Sequence, residues 1–517
     1  MVSGAAILVA TVLSTPAVGA RITPRLPVLH AEWTINFDGT HAGIPSDINK
    51  PIAQSSPVLA MIDGTPSSPE GAIVVGDRKG RLYAANLVTG SLRVLYSSKV
   101  PIDAPPSAAP VTPGALDTVF FGRGNQEIAC RATDGTWGGY TAIDADGSVR
   151  WKRRVNNPPG DLSCPHNGVM AGMTLVDLKG TLSTFGMSLG QAEHGFTAAT
   201  GTALTGWNPW FQADSSTSTV ALAWLRGASK APSIIEGGDS TQGNAYGYQY
   251  FNGGHVRVVA AKGNLGVPGN GGLRCSFDTY ANGGQIVAAS PAVGTFLAGG
   301  ATGIASGQGY FAGYGGPVNR LRVLDQSCQK VWSAQTDFLT SSPILADVDG
   351  DGHLDVVVGT QDVSVHGLSD NGSVSAYDGA TGRLLWKTET GSVIGQPVAA
   401  DLRNTGYADI VVGTTSGTAE HGGLQILDGS TGTKQWSTDA FVTQGTPIVT
   451  ADPSGKIGIT VAGYFGVLVG GEVHLAGTIR HFSVTGSSSS WLANPTTSWL
   501  EFHHDARLTG NASPPAP

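Results

Sequence analysis

Charge is scarce in this chain of 517 residues: Asp, Glu, Lys and Arg together make up 13%. No basic stripe is present and the net charge is −8 at pH 7, which disfavours nucleic acid and anionic membrane as partners. Long segments of helical period are missing, so the sequence gives no basis for a helical architecture. No segment beyond the N-terminus reaches about 18 uninterrupted apolar residues, and no membrane-spanning helix is expected. Cysteine is limited to Cys130, Cys164, Cys275 and Cys328. Glycine is abundant instead, at 74 residues, and the 40% hydrophobic content is ample for a core and argues against global disorder. Short Val, Ile, Leu and Thr runs bounded by Gly, Asp, Ser and Pro recur throughout, the pattern of an all-β protein rich in turns.

The N-terminus reads as an export signal. Ala5 to Ala17 is almost wholly apolar or small, and Val18-Gly19-Ala20 fits the small-residue cleavage rule, although no Lys or Arg precedes the apolar run. The expectation is a signal peptide over 1–20, cleaved after Ala20, and a secreted, extracellular protein. An even number of cysteines in an oxidising compartment favours two disulfides. Three connectivities exist, and local pairing, Cys130–Cys164 with Cys275–Cys328, is the simplest. The rival reading, a reactive thiol at Cys164-Pro165-His166, lacks a nearby group to orient the imidazole.

Internal repetition dominates the chain. One piece is a small polar residue, often before Pro, then apolar residues, a turn and a Val-Val-Gly-like strand. Ser56-Pro57-Val58-Leu59 leads to Ile73-Val74-Val75-Gly76, and Ser342-Pro343-Ile344-Leu345 leads to Val356-Val357-Val358-Gly359. Gln396-Pro397-Val398-Ala399 and Thr446-Pro447-Ile448-Val449 open two more copies. A second piece reads as strand, tight turn, strand, and its clearest form runs from Ala376-Tyr377-Asp378-Gly379 through Thr381-Gly382 to Trp386. Related copies end at Trp436 and Trp151, and looser ones at Tyr96, Trp332 and Trp491; the aromatic residue is expected to pack between neighbouring units.

Unit starts fall near residues 57, 110, 168, 219, 291, 343, 397 and 447. Units of about 50 residues with four short strands each are propeller blades. The Asp-x-x-x-Gly-x-x-x-Trp-like piece resembles the PQQ-like (quinoprotein-like) propeller repeat, over roughly residues 30 to 510. The expected fold is therefore an all-β propeller over 57–510, of eight blades, with seven left open by the irregular stretch 219–290. Within 21–56, Ala31 to Ile35 reads as a strand that closes the ring by pairing with the last blade. The run from Trp499 through Phe502 and Asp505 to Thr509-Gly510 resembles a terminal element of bacterial propellers of this kind. Residues 511–517, with three prolines, are expected to be a disordered tail.

The most informative stretch is 347–359, Asp-Val-Asp-Gly-Asp-Gly-His-Leu-Asp followed by Val356-Val357-Val358-Gly359. Asp347, Asp349, Asp351 and Asp355 occupy positions 1, 3, 5 and 9 of a short loop. Four carboxylates this close repel each other without a cation, and oxygen ligands at this density suit Ca²⁺. A helical EF-hand would carry Glu at position 12 and lead into a helix, whereas here a strand follows. The pattern resembles the calcium loop of the FG-GAP/VCBS (integrin α-type) propeller repeat. That resemblance implies Asp347, Asp349, Asp351, the His353 carbonyl and Asp355 as ligands. Asp401 to Asp409 repeats the register, but Arg403 and Thr405 replace two acids, so the guanidinium is expected to stand in for the metal. In the last unit Asp452-Pro453-Ser454-Gly455-Lys456 has lost the site.

His503-His504-Asp505 suggests a metal or acid–base group, but adjacent histidines on a strand would face opposite ways, which favours packing. Asn371-Gly372-Ser373 and Asn511-Ala512-Ser513 match the glycosylation sequon. The functional expectation is a calcium-stabilised, secreted, monomeric propeller that binds a protein or polysaccharide without catalysing a reaction. The alternatives are a quinoprotein-like dehydrogenase, or a hydrolase or lyase built in the central funnel. Spacing identifies no catalytic set, and the irregular 219–290 stretch is the first candidate for a recognition surface.

Overall fold

A computed structural model describes residues 26–39, 51–124, 137–155, 168–190, 192–207, 210–211, 216–227, 229–238, 243–245, 248–250, 254–263, 272–279, 287–308, 319–362, 369–415, 422–439 and 441–513. Eight antiparallel sheets follow one another along the chain as the blades of a propeller. Their first strands are Val58–Thr65, Ser107–Ala109, Thr174–Asp177, Ala221–Ala223, Ala292–Leu297, Ile344–Ala346, Val398–Ala400 and Ile448–Ala451, which define blades one to eight. Each blade has four strands. Blade six carries an additional two-residue strand, Leu339–Thr340. The second strands hold the sequence's apolar runs. Ile73 to Val75, Val356 to Val358 and Ile410 to Val412 are fully buried because both faces of these strands are covered by neighbouring blades.

The ring closes through the N-terminal strand Leu29–Asn36, which pairs antiparallel with Glu472–Val484 as the outer strand of blade eight. The eighth blade is thus shared between the two ends of the chain, and its edge is covered. In blade four the third strand is His255–Ala260, reached from Ser233–Gly238 by the longer connection that made this unit irregular in sequence.

Two belts join blade to blade. Near the axis, in five of the eight blades the residue two places before the first strand offers a hydroxyl to the preceding blade's equivalent backbone N–H. Gly172 N–H donates to Thr219 Oγ1 at 2.8 Å, Thr219 N–H to Ser290 Oγ at 2.9 Å, and Ser290 N–H to Ser342 Oγ at 2.8 Å. Gln396 N–H donates to Thr446 Oγ1 at 2.9 Å and Thr446 N–H to Ser56 Oγ at 3.0 Å. This is the physical reason for the recurrent Ser/Thr before Pro: the proline starts the strand without a donor, and the hydroxyl links the seam.

Further out, a tryptophan of one blade lies on the turn of the next. Trp151, Trp332 and Trp386 donate through Nε1 to the carbonyls of Ala198, Gly379 and Gly429, at 2.8, 2.8 and 2.5 Å. Trp33 and Trp207 do the same to Leu87 and Ala261. The indoles cover Gly201, Gly382 and Gly432, whose positive φ and lack of a side chain allow the approach; a Cβ there would sit 2.6 Å from the ring. Between blades four and five a disulfide, Cys275–Cys328, takes this place.

The C-terminal segment runs across the axis at the end of the first strands and caps their free N–H groups. Ala108, Leu175, Leu222, Val293, Ala399 and Val449 donate to the carbonyls of Ala506, Arg507, Thr509, Gly510, Trp499 and Leu500, all within 2.7–2.9 Å. In blade six Asp347 N–H donates to Thr496, and in blade one Leu59 N–H reaches Glu501 Oε2 at 3.5 Å. Two expectations are corrected here. Residues 511–513 are not a frayed tail: Asn511 is buried, bridges to Val293, and donates through Nδ2 to Leu222 O at 2.8 Å. That bond also occupies the sequon nitrogen. His503 and His504 are not on a strand; both have positive φ in a tight turn. His503 is buried between the carbonyls of Leu508 and Pro291. Residues 514–517, the expected signal segment 1–20, and Cys130 and Cys164, expected to pair, lie outside the described residues.

Candidate metal centre and central cavity

The acidic loop connects the first and second strands of blade six, Ile344–Ala346 and Asp355–Gln361. Gly350 and Gly352 both take positive φ, so the chain doubles back and several N–H groups point inward. Asp347 accepts from Gly350 N–H through Oδ1 at 2.8 Å and from Gly352 N–H through Oδ2 at 2.9 Å. Asp355 Oδ2 accepts from Val348 N–H at 3.2 Å. Asp347, Asp349 and Asp355 each bring a carboxylate oxygen within 4.8 Å of the other two. Asp351 stands apart from that trio and accepts from His353 N–H at 2.8 Å. His353 is exposed at the rim of the loop.

Asp347 and Asp355 are buried while Asp349 faces solvent. Burial, reinforced by the carboxylates of Asp349, Asp351 and Asp347, pushes Asp355 up to about 8. Asp347 is raised by the same causes. Three converging carboxylates, two of them buried, are a site that a divalent cation would relieve, and an all-oxygen set fits a hard ion. Asp347, Asp349 and Asp355 are the residues that would hold it, with Asp351 and the His353 carbonyl beside them in the same loop.

The corresponding loop of blade seven is neutralised from within. Arg403 donates to Asp409 through Nε at 3.0 Å and through a terminal nitrogen at 2.6 Å, and to Asp428 Oδ2 at 2.8 Å. Asp401 keeps the loop-shaping role of Asp347, accepting from Thr405 and Gly406 N–H. Asp428, which sequence reading assigned only to turn formation, is the second carboxylate of this network. In blade eight Asp452 caps its own turn and Lys456 pairs with Glu32 of the closing strand at 2.5 Å.

On the opposite side, where the first strands begin, all eight blades and Phe502 of the C-terminal segment line a central cavity of about 290 Å³. Its described lining is amide, hydroxyl and apolar, with Asp103 the single charged group. Asp103 lies 3.5 Å from Arg78 Nε. Gln396 stands where five other blades have Ser or Thr. Its Nε2 donates to Pro343 O at 2.7 Å and its Oε1 accepts from His503 N–H at 2.6 Å and Trp499 Nε1 at 3.3 Å. The exception in the Ser/Thr-Pro repeat was the sequence signal for this anchor. A calcium–quinone pair does not fit the described lining, which offers one carboxylate already facing a guanidinium and no basic side chain. A pair of carboxylates for hydrolysis is likewise not assembled among these residues.

Sequence reasoning also missed a buried cluster between blades three and four. Glu236 Oε1 lies 3.5 Å from Arg257 and 3.6 Å from His255. Glu193 is fully buried nearby, and burial followed by repulsion from Glu236 raises its carboxyl far above the usual range. Arg257 supplies the local positive charge, so the cluster is a poor cation site. Acids inside the apolar strands Ala192–Thr197 and Ser233–Gly238 were its signal.

Residues 318–462 match the family model described as outer membrane protein assembly factor BamB, a minority of the chain that spans its most regular blades. Among solved structures, BamB from Moraxella catarrhalis is 13% identical, with a TM-score of 0.47, covering 88% of this chain and 100% of that one. The quinohemoprotein alcohol dehydrogenase of Comamonas testosteroni is also 13% identical, with a TM-score of 0.42 and coverage of 89% and 77%. The biofilm matrix protein Bap1 of V. cholerae is 13% identical, with a TM-score of 0.39 and coverage of 92% on both sides. No curated protein matches.

Proposed function

We propose that this chain is a calcium-stabilised propeller that works outside the cell as a non-enzymatic binding or scaffold protein for a protein or glycan partner. The observation that carries the calcium reading is the contrast between twin loops. In blade seven an arginine neutralises the buried carboxylates. In blade six Asp347, Asp349 and Asp355 converge with no cationic side chain among them. The ion's role is structural: it holds the first connection of blade six, next to the point where Thr496 of the C-terminal segment accepts from Asp347 N–H. Extracellular modules bind Ca²⁺ with dissociation constants of roughly 10⁻⁴–10⁻³ M. At millimolar calcium such a site contributes on the order of 1 kcal/mol. The binding role is supported by the described lining of the central cavity, mostly amide, hydroxyl and apolar, which supplies recognition groups with Asp103 as its single charged side chain.

The test is isothermal titration of Ca²⁺ into EDTA-treated protein, beside an Asp349→Ala variant. One site of sub-millimolar affinity, absent from the variant, is expected. A flat titration of the wild-type chain would overturn the calcium reading.

A further inference from the structure

The inner belt leaves its donors unspent. Thr219, Ser290, Ser342, Thr446 and Ser56 each accept one backbone N–H from the preceding blade. A hydroxyl has one proton to give as well as lone pairs to receive with. Among the described residues no protein acceptor takes those protons, and all five side chains line the central cavity. Gln54 and Gln361 add two side-chain amides to the same wall, each offering donors and an acceptor. Phe502 contributes an aromatic ring from the segment that closes the far end.

We propose that this cavity is a binding site for one ring of a neutral sugar, at the end of a glycan chain. The inference rests on the binding-protein reading above and names its ligand class. Hydroxyl and amide groups match the mixed donor and acceptor character of sugar hydroxyls, and an aromatic face suits the apolar C–H side of a pyranose. Charged ligands are disfavoured. An anion would meet Asp103 and, among the described residues, no basic side chain, and a cation would have to compete with Arg78 for that carboxylate. At about 290 Å³ the space lies at the lower end of small-ligand sites. The C-terminal segment crosses the far end of the axis, so entry is from one side and an end of a chain is taken rather than its middle.

The experiment titrates the whole chain, in calcium, with neutral mono- and oligosaccharides and with a uronate-containing oligosaccharide of matched length, read by calorimetry and saturation-transfer NMR. The comparison protein is the double variant Gln54→Leu/Gln361→Leu, which removes two half-buried amides and no inter-blade bond. Neutral sugars are expected to bind, and the double variant to bind at least tenfold more weakly with an unchanged melting temperature. The proposal is overturned by preference for the uronate, by equal binding in the double variant, or by no neutral sugar binding at all. Equal binding in the variant would move recognition to another surface and leave the binding-protein reading standing. The calcium reading stands or falls on its own titration.

Discussion

Cys275 occupies the strand position that a tryptophan holds in other blades, and Cys328 occupies the left-handed turn position that the tryptophan covers. Cys275 pairs with Val258 just before a register shift, as Trp151 pairs with Ala142, Trp332 with Val323 and Trp386 with Ala376. Cys328 has φ of 60°, beside 75° at Gly382 and 71° at Gly432. The disulfide therefore does covalently between blades four and five what an indole resting on a glycine does at five other seams. Reduction should lower stability by about 2–4 kcal/mol, given that the bond closes a loop with a sequence separation of 53. The double substitution Cys275→Trp/Cys328→Gly should restore a non-covalent seam, so that in dithiothreitol its urea midpoint exceeds that of the equally reduced wild type. A midpoint that falls well below that of the reduced wild type would show that the positions are not equivalent.

The Arg403 network predicts a conversion. Arg403→Ala leaves Asp409 buried and uncompensated, and should cost about 3–5 kcal/mol, as breaking buried pairs does. Arg403→Asp rebuilds the acid at position 3 of the loop. Its stability should depend on calcium, with most of the loss recovered at millimolar Ca²⁺ and none in EDTA. Denaturant melts with and without the ion decide this.

At the sixth seam, Trp386→Phe removes the bond to Gly429 O and should cost about 1 kcal/mol. Trp386→Ala should cost about 3–5 kcal/mol through lost packing. Gly432→Ala, on the other side of the same contact, should also destabilise, because its φ of +71° and the 2.6 Å approach to the indole both oppose a Cβ. Guanidinium unfolding of the three variants gives the ranking, and a neutral Gly432→Ala would contradict the packing described.

Gln396→Leu keeps volume while removing the acceptor of His503 N–H and Trp499 Nε1. The cost expected is about 1–3 kcal/mol, with the C-terminal segment becoming the first site of limited proteolysis. Unchanged protection of residues near Trp499 would refute the anchoring role of Gln396.

Acid sensitivity follows from two buried imidazoles. Burial holds His194 down to about 3 and His481 down to about 4. The unfolded chain titrates these near pH 6.5 and so binds more protons between the two values. Their contribution is complete above about pH 6.5 and is lost as pH falls through about 4. At pH 5 the loss is on the order of 2 kcal/mol for each. His481→Gln should shift the acid midpoint to lower pH, measured by tryptophan fluorescence; an unmoved midpoint would remove His481 from the account.

The sequence carried the fold class, a ring of eight blades with seven left open, the single acidic loop and its arginine-bearing twin. These are local patterns: apolar strands of fixed length, turns that need Asp and Gly, and alternate acids within nine residues. It also carried the local disulfide, Cys275–Cys328, because both partners sit in adjacent repeats. Tertiary structure alone decided what depends on closing the ring. Only a closed circle brings Leu29–Asn36 beside Glu472–Val484, gathers one hydroxyl from each of several blades round one axis, and buries Asn511 and Ala512 at what reads in sequence as a loose end. Within single blades, packing brings Arg403 to Asp428 and directs the side chains of Asp347, Asp349 and Asp355 toward one another. Side-chain direction and contacts across 25 or more residues are set by packing, and no spacing rule within a repeat encodes them.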